Sequence, residues 1–128
     1  MIIKIPVSLG ELIDKISILQ IKKKNIRGVI KRKLIDKELL LLKEHLKASV
    51  SVNKDLKKYL NKLISVNNRL WKIEDKLREH ERQKKFDQKF IHLARSVYIT
   101  NDERSKIKLE INRKFGSTII EIKSYKKY

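Results

Sequence analysis

Leu56-Lys57-Lys58-Tyr59-Leu60-Asn61-Lys62-Leu63-Ile64-Ser65-Val66-Asn67-Asn68-Arg69-Leu70-Trp71-Lys72-Ile73-Glu74-Asp75-Lys76-Leu77-Arg78 lies inside a run from Lys54 to Lys85 that holds neither Gly nor Pro. Leu56, Leu60, Leu63, Val66, Leu70, Ile73 and Leu77 recur in it at steps of three and four, the spacing that keeps side chains on one face of an α-helix. At 1.5 Å rise per residue such a helix is about 45 Å long. A compact domain of this length has a radius of gyration near 14 Å, so the spacing predicts an elongated bundle built around this one long central helix.

Working outward, the remaining punctuation is sparse: three Gly and one Pro in 128 residues rich in Leu, Ile, Lys and Glu, a composition that suits helices. Upstream, Ser8-Leu9-Gly10-Glu11 has capping-box spacing and opens a first helix. That helix carries Leu9, Leu12, Ile13, Ile16, Leu19 and Gln20 on one face, and Ile18 and Ile21 widen the face enough for two partners. Gly28 is its natural stop. A second helix is expected from about 30 to 48 with Ile35, Leu39, Leu42 and Leu46 at core spacing, followed by a loop through Asn53. Downstream, Phe86-Asp87 reads as a break with an Asp cap. A short fourth helix with Phe90, Leu93, Ala94 and Val97 facing inward follows. Thr100-Asn101-Asp102-Glu103 is a second capping-box signal that opens a fifth helix with Ile107, Ile111 and Phe115, closed by Gly116. The termini differ. Residues 2–7 and 117–125 are β-branched and partly alternating, which predicts a two-stranded ribbon laid against the helices. The expected fold is therefore mainly α, about five helices in a single domain, 1–128, with that ribbon tying its ends.

Composition narrows the function classes. With no Cys there is no disulfide framework, thiolate nucleophile or Cys-based zinc site. No apolar run approaches the about 18 residues of a membrane span, and the first residues are too short for a signal peptide, so the reading is of a soluble protein of the cytoplasm. The formal net charge of +18 attracts polyanions. Lys outnumbers Arg 25 to 8 beside 19 Ile, which AT-rich codons also produce, and the surplus is spread along the whole chain. Arg is distributed differently, with six of the eight between 69 and 113. Its planar, bidentate head makes that interval the more specific signal.

Within it, Asn67, Trp71, Glu74 and Arg78 form one ridge beside the apolar stripe of the long helix. The ridge is either a surface ion pair, Glu74 with Arg78, next to a packing Trp, or an aromatic platform with recognition charges. Ile91, Arg95 and Tyr98 align on one expected face downstream, and Arg104, Lys108 and Asn112 on another. If the last three helices fold back together, Arg78, Arg95 and Arg104 converge with Glu74 and Asp102. Two outcomes stay open: an ion-pair network that fixes helix register, with Glu74, Asp75, Glu81 and Asp102 as partners, or a pocket for a carboxylate or phosphate. The candidate binding residues are Trp71, Glu74, Arg78, Arg95, Tyr98, Asp102 and Arg104. His45, His80 and His92 lack metal-ligand spacing, no Gly-rich phosphate loop is present, and no Ser sits in a nucleophile elbow. No catalytic residue, metal or cofactor is expected.

Ile5-Pro6-Val7-Ser8-Leu9-Gly10-Glu11-Leu12-Ile13-Asp14-Lys15-Ile16, Leu70-Trp71-Lys72-Ile73-Glu74-Asp75, Leu93-Ala94-Arg95-Ser96-Val97-Tyr98-Ile99-Thr100-Asn101-Asp102 and Lys123-Ser124-Tyr125 resemble the signature blocks of a small uncharacterised family of bacteria and their phages. The resemblance spans nearly the whole chain. It implies that Glu11, Asp14, Trp71, Glu74, Asp75, Arg95, Tyr98, Asn101 and Asp102 belong to a recurrent pattern, and it places the chain in host cytoplasm if it is phage-encoded. It implies no activity. Leu12-Ile13-Asp14-Lys15-Ile16-Ser17-Ile18-Leu19 is also similar to the first helix of all-helical chorismate mutases, but the arginine expected near the start of that helix is absent. The function expected is a non-enzymatic helical binding or scaffold protein that recognises a protein or anionic partner through the Trp/Glu/Arg ridge. The alternatives are a nucleic-acid-binding protein and a small enzyme acting on an anionic metabolite or sugar phosphate. The broad face of the first helix and Leu40 and Leu41 of the second would also serve a homodimer.

Overall fold

A computed structural model describes residues 1–128, in four α-helices with no β-strand: α1 (Leu9–Asn25), α2 (Val29–Ser49), α3 (Lys54–Arg82) and α4 (Gln88–Lys114). Each start has a local cause. The Ser8 hydroxyl accepts from Glu11 N at 3.1 Å, the Asn53 side chain from Leu56 N at 2.9 Å, and the Asp87 carboxylate from Phe90 N at 3.0 Å, so three of the four N-termini are capped by their own side chains. Gly28 takes φ 114° where α2 begins, a conformation open to Gly and costly for other residues. At the end of α4, Gly116 is left-handed and Ser117 N donates back to Asn112 O at 2.8 Å, the bond that closes a Schellman turn.

Two expectations are corrected. The fourth and fifth helices are one continuous α4, because Thr100-Asn101-Asp102-Glu103 lies in its middle with Thr100 buried. A capping signal stops a helix only where the chain has somewhere better to go. Here Leu93, Val97, Thr100, Arg104, Ile107 and Ile111 form an unbroken stripe at alternating steps of four and three, and packing of that stripe outweighs the modest helix propensity of Thr, Asn and Asp. The terminal ribbon also does not form. Residues 1–7 and 117–128 are without regular structure and mostly exposed. The C-terminal segment fastens to the helices, with Ser117 Oγ accepting from Leu9 N at 3.4 Å and Lys108 reaching Glu121 at 3.3 Å, while Met1 and Ile2 border Leu34, Leu40 and Leu41 of α2 and stay exposed. Two short strands without a third are marginal in water, and β-branched residues alone do not supply the missing partner.

The centre of the bundle is α1 rather than the long α3, for α1 alone packs closely against all three other helices. Leu12, Ile13, Ile16, Leu19 and Ile21 are buried in it, and with Leu56, Leu63 and Val66 of α3, Ile107 and Ile111 of α4, and Ile35, Leu39 and Leu46 of α2 they make the core. The α3 and α4 helices form an antiparallel hairpin: Lys114 pairs with Asp55, Tyr59 packs edge-on against Phe115, Arg69 bonds Glu103, and Phe90 stacks near His80 at the tip. The α1 helix lies against this hairpin, antiparallel to α4, while α2 packs closely on α1 alone. No helix is long and apolar enough to cross a membrane.

Candidate functional site

Gly10 lets α1 and α4 approach closely. Its N–H donates to Asn112 Oδ1 at 2.7 Å, and a Cβ there would stand 2.6 Å from Lys108 O. One turn further along α1, Asp14 is wholly buried. Arg104 holds both of its carboxylate oxygens in a fork, Nε to Oδ1 at 3.0 Å and Nη2 to Oδ2, and Asn67 of α3 donates to Oδ1 at 2.8 Å. Asn67 also donates to Ser17 Oγ at 2.7 Å, and Ser17 in turn donates to the Asp14 carbonyl. Lys108 bonds Glu11 at 2.6 Å and stands 3.9 Å from Asp14. No buried side-chain nitrogen or oxygen lacks a partner.

The electrostatics follow from that pairing. The hydrogen bond to Asp14 raises the Arg104 pKa above its ordinary value, against the opposing effect of burial, so the guanidinium stays charged. Burial pulls Lys108 down, but the Glu11 bond and the charges of Asp14, Glu11 and Glu121 more than offset it, and its net shift is upward. Three helices are thus locked in register at one polar centre, with carboxylate and cations fully compensated.

The outer edge of this centre opens into a groove of about 420 Å³ between α1 and α3. Ile18, Ile21 and Leu70 supply its apolar lining, half-buried Trp71 its aromatic surface, and Glu74, Asp75 and Arg78 its exposed charges, with Arg104 at the inner end. The nearby side-chain ion pairs of the hairpin lie elsewhere, Arg69 with Glu103 and Arg82 with Glu79, so Glu74, Asp75 and Arg78 face the groove unpaired. Glu74 and Arg78 do not form the surface pair that their spacing allows.

Of the residues singled out in the sequence, Trp71, Glu74, Arg78 and Arg104 come together in this groove. Arg95, Tyr98 and Asp102 do not join them. Nine residues at 100° each separate Arg95 from Arg104, which puts the two on opposite sides of α4. Arg95 Nε contacts Tyr98 OH at 3.4 Å on an exposed strip, the Tyr98 and Tyr128 rings meet edge-on at 5.3 Å, and Tyr128 OH donates to Asp102 at 2.7 Å, which raises the phenol's pKa. The expected alignment of Arg104, Lys108 and Asn112 is realised, but all three face α1. Their partners are Asp14, Glu11 and the Gly10 amide, in place of Glu74, Asp75, Glu81 and Asp102. What sequence reasoning missed was the place of Asp14 and Ser17 at the centre. Their signal was a polar pair, three residues apart, inside the apolar face of α1. No group of three or more His, Asp and Glu is arranged to hold a metal ion.

No curated protein and no solved structure matches the chain. A family model does, from residue 3 to residue 128, and with that coverage the chain belongs to a family of unknown function, DUF6165.

Proposed function

We infer that the chain is a non-enzymatic helical binding or scaffold protein and that it holds a protein or anionic partner in the Trp71 groove. One observation carries the reading: Glu74, Asp75 and Arg78 surround a half-buried Trp with no partner of their own, directly beside a centre where every polar group is paired. Trp and Arg are the side chains that most often anchor an interface, because each brings large contact area or bidentate bonding at little cost in conformational freedom. Arg78 suits a carboxylate or phosphate, and Glu74 and Asp75 suit the cations of the same partner. Both signs of charge in one groove favour a protein segment over a uniform polyanion. The division of the arginines supports binding over catalysis, since Arg104 is committed to Asp14 and Arg95 lies outside the groove.

Trp71 is the only Trp of the chain, so its fluorescence reports on the groove directly. Proteins captured from cells on the wild-type chain are to be purified and titrated against wild type, Trp71→Ala, Arg78→Ala and Arg95→Ala by calorimetry. A partner of the groove shifts the Trp71 emission and loses at least about tenfold in affinity with Trp71→Ala and with Arg78→Ala, the loss typical of a removed anchor. Arg95→Ala leaves it unchanged. Normal binding by the first two variants, or a loss confined to Arg95→Ala, overturns the site.

The nucleic-acid reading has one feature in its favour: Lys54, Lys57, Lys58 and Lys62 share an exposed strip of α3 with Asn61 and Ser65, and none of the four is in an ion pair. Oligonucleotide binding that falls steeply with salt and loses about one unit of slope per Lys→Gln change on this strip would support it; binding unaffected by those changes would remove it.

A further inference from the structure

The α2 helix packs closely against α1 alone, and its outward side is unusual for so charged a chain. The inward stripe, Ile35, Leu39, Leu42 and Leu46, accounts for one face. On another, Leu34 is 64% exposed and Leu40 62% exposed, Leu41 is half-buried, and Met1 and Ile2 lie beside them. Lys37 and Glu44 sit in the middle of this apolar face, Lys33 falls between Leu40 and Glu44 on the helical wheel, Glu38 lies beyond Leu34, and Lys23 with Asp36 is the only ion pair that α2 makes. With Lys47 beside Leu40, the face carries three lysines and two glutamates, close to neutral in a chain of net charge +18. Nucleic acid is repelled by Glu38 and Glu44, and an acidic protein gains nothing from Lys37 that Glu44 does not cancel.

The charge order decides what fits. Lys37 and Glu44 are seven residues apart, two helical turns, on one side of the helix. In an antiparallel pair related by a two-fold axis perpendicular to both helices, each flank of one helix meets the same flank of the other. With the axis between positions 40 and 41, Lys37 of each copy stands opposite Glu44 of the second copy, so the ion pair is made twice. The same axis sets Leu40 and Leu41 of the two copies at one level beside each other, and brings Leu34 to the level of Lys47 and Ala48. No other register sets Lys37 against Glu44 while placing both leucines at the axis. A parallel pair would put Lys37 on Lys37 and Glu44 on Glu44, which repels.

We propose that the outward face of α2 is a homodimer interface, closed by a second copy of this chain in antiparallel α2–α2 packing with reciprocal Lys37–Glu44 ion pairs. The surface is separate from the Trp71 groove and leaves it open in both copies.

The test is a charge exchange read by sedimentation velocity and by co-purification of tagged with untagged chain, with helicity checked by circular dichroism. Wild type is expected to dimerise with a concentration-dependent midpoint. Lys37→Glu sets Glu against Glu44 twice and Glu44→Lys sets Lys against Lys37 twice, so each variant alone weakens the dimer by at least about tenfold, as like charges opposed across an interface do. An equimolar mixture of the two variants restores the pairs and yields mixed dimers of near wild-type affinity, and the double variant K37E/E44K restores the homodimer. Leu41→Glu abolishes both. A monomeric wild type at every concentration overturns the proposal. So does a dimer that neither single charge variant weakens, or single-variant losses that neither mixing nor the double variant repairs.

Discussion

Asp14 and Glu74 are both carboxylates in the same set of three packed helices, and both stand within reach of an arginine by design of the fold. Asp14 is wholly buried between Arg104, Asn67 and Lys108, whereas Glu74 is exposed in the groove and has no partner. The contrast separates two uses of charge that look alike in the sequence. At the Asp14 end, three helices press a polar cluster out of water, and desolvation makes any unpaired group costly, so pairing there is complete. At the groove end, the α1 helix contributes only Ile18 and Ile21, solvent reaches the side chains, and a charge can wait for a partner at little cost. Full pairing marks the structural half. Its absence marks the half that we propose for recognition.

The largest way to break this contrast is to remove its buried member. Asp14→Ala strips the Arg104 fork of its carboxylate and leaves the Asn67 amide with Ser17 Oγ alone, and should cost about 3 kcal/mol in a denaturant titration, the low end for a broken buried pair. The low end applies because 27% of the Arg104 side chain stays accessible and water can solvate what remains. Replacing both partners, as in Asp14→Leu with Arg104→Met, should recover most of that loss, since neither charge is then stranded. If the double variant were as unstable as the single one, the centre would owe its stability to more than charge compensation.

Next in size is Gly10→Ala. Ala is the better helix former by up to about 1 kcal/mol, but its Cβ would meet the Lys108 carbonyl at 2.6 Å and Asn112 Oδ1 at 2.9 Å. Backbone cannot yield as a flexible side chain can, so α1 must move off α4 and weaken the Gly10 to Asn112 bond. Overpacking of this kind costs about 1 to 3 kcal/mol, and we expect a net loss of about 2 kcal/mol in thermal or chemical unfolding. A stabilised Gly10→Ala would show that α1 and α4 are not held at this distance.

How much of this was legible in the sequence depends on the range of the interaction. Helix starts at Ser8, Asn53 and Asp87 were open to reading because a cap acts within three residues. The ridge Asn67, Trp71, Glu74 and Arg78 was legible because one helix fixes its geometry, and its Asn67 end turned out to reach the buried centre. The continuity of α4 was present as the stripe from Leu93 to Ile111, but a local capping signal at Thr100 competed with it, and only tertiary burial decides such a contest. Asp14 was hardest. Its polar spacing with Ser17 signals that something meets it, yet its partners Asn67 and Arg104 lie 53 and 90 residues away, a pairing that no local rule supplies. The terminal ribbon failed for the complementary reason, since β propensity is local and a ladder is not.

The smallest expected effect sharpens the comparison most. Arg78 is exposed, pairs with nothing and sits in a helix where Ala is the preferred residue, so Arg78→Ala should change folding stability by no more than about 0.5 kcal/mol. Arg104, on the next helix and lining the same groove, should lose about 3 kcal/mol when truncated, because Asp14 would then be buried with only Asn67 and the more distant Lys108 to compensate it. Measured side by side in one denaturant series, the two arginines give a direct reading of where structure ends and recognition begins. A loss at Arg78 approaching that at Arg104 would mean that the groove is braced by its charges and that Arg78 is not free to meet a partner. A near-zero loss, combined with the tenfold loss of partner affinity expected above, would place Arg78 on the recognition side, since a side chain that does nothing for the fold has no other reason to govern binding.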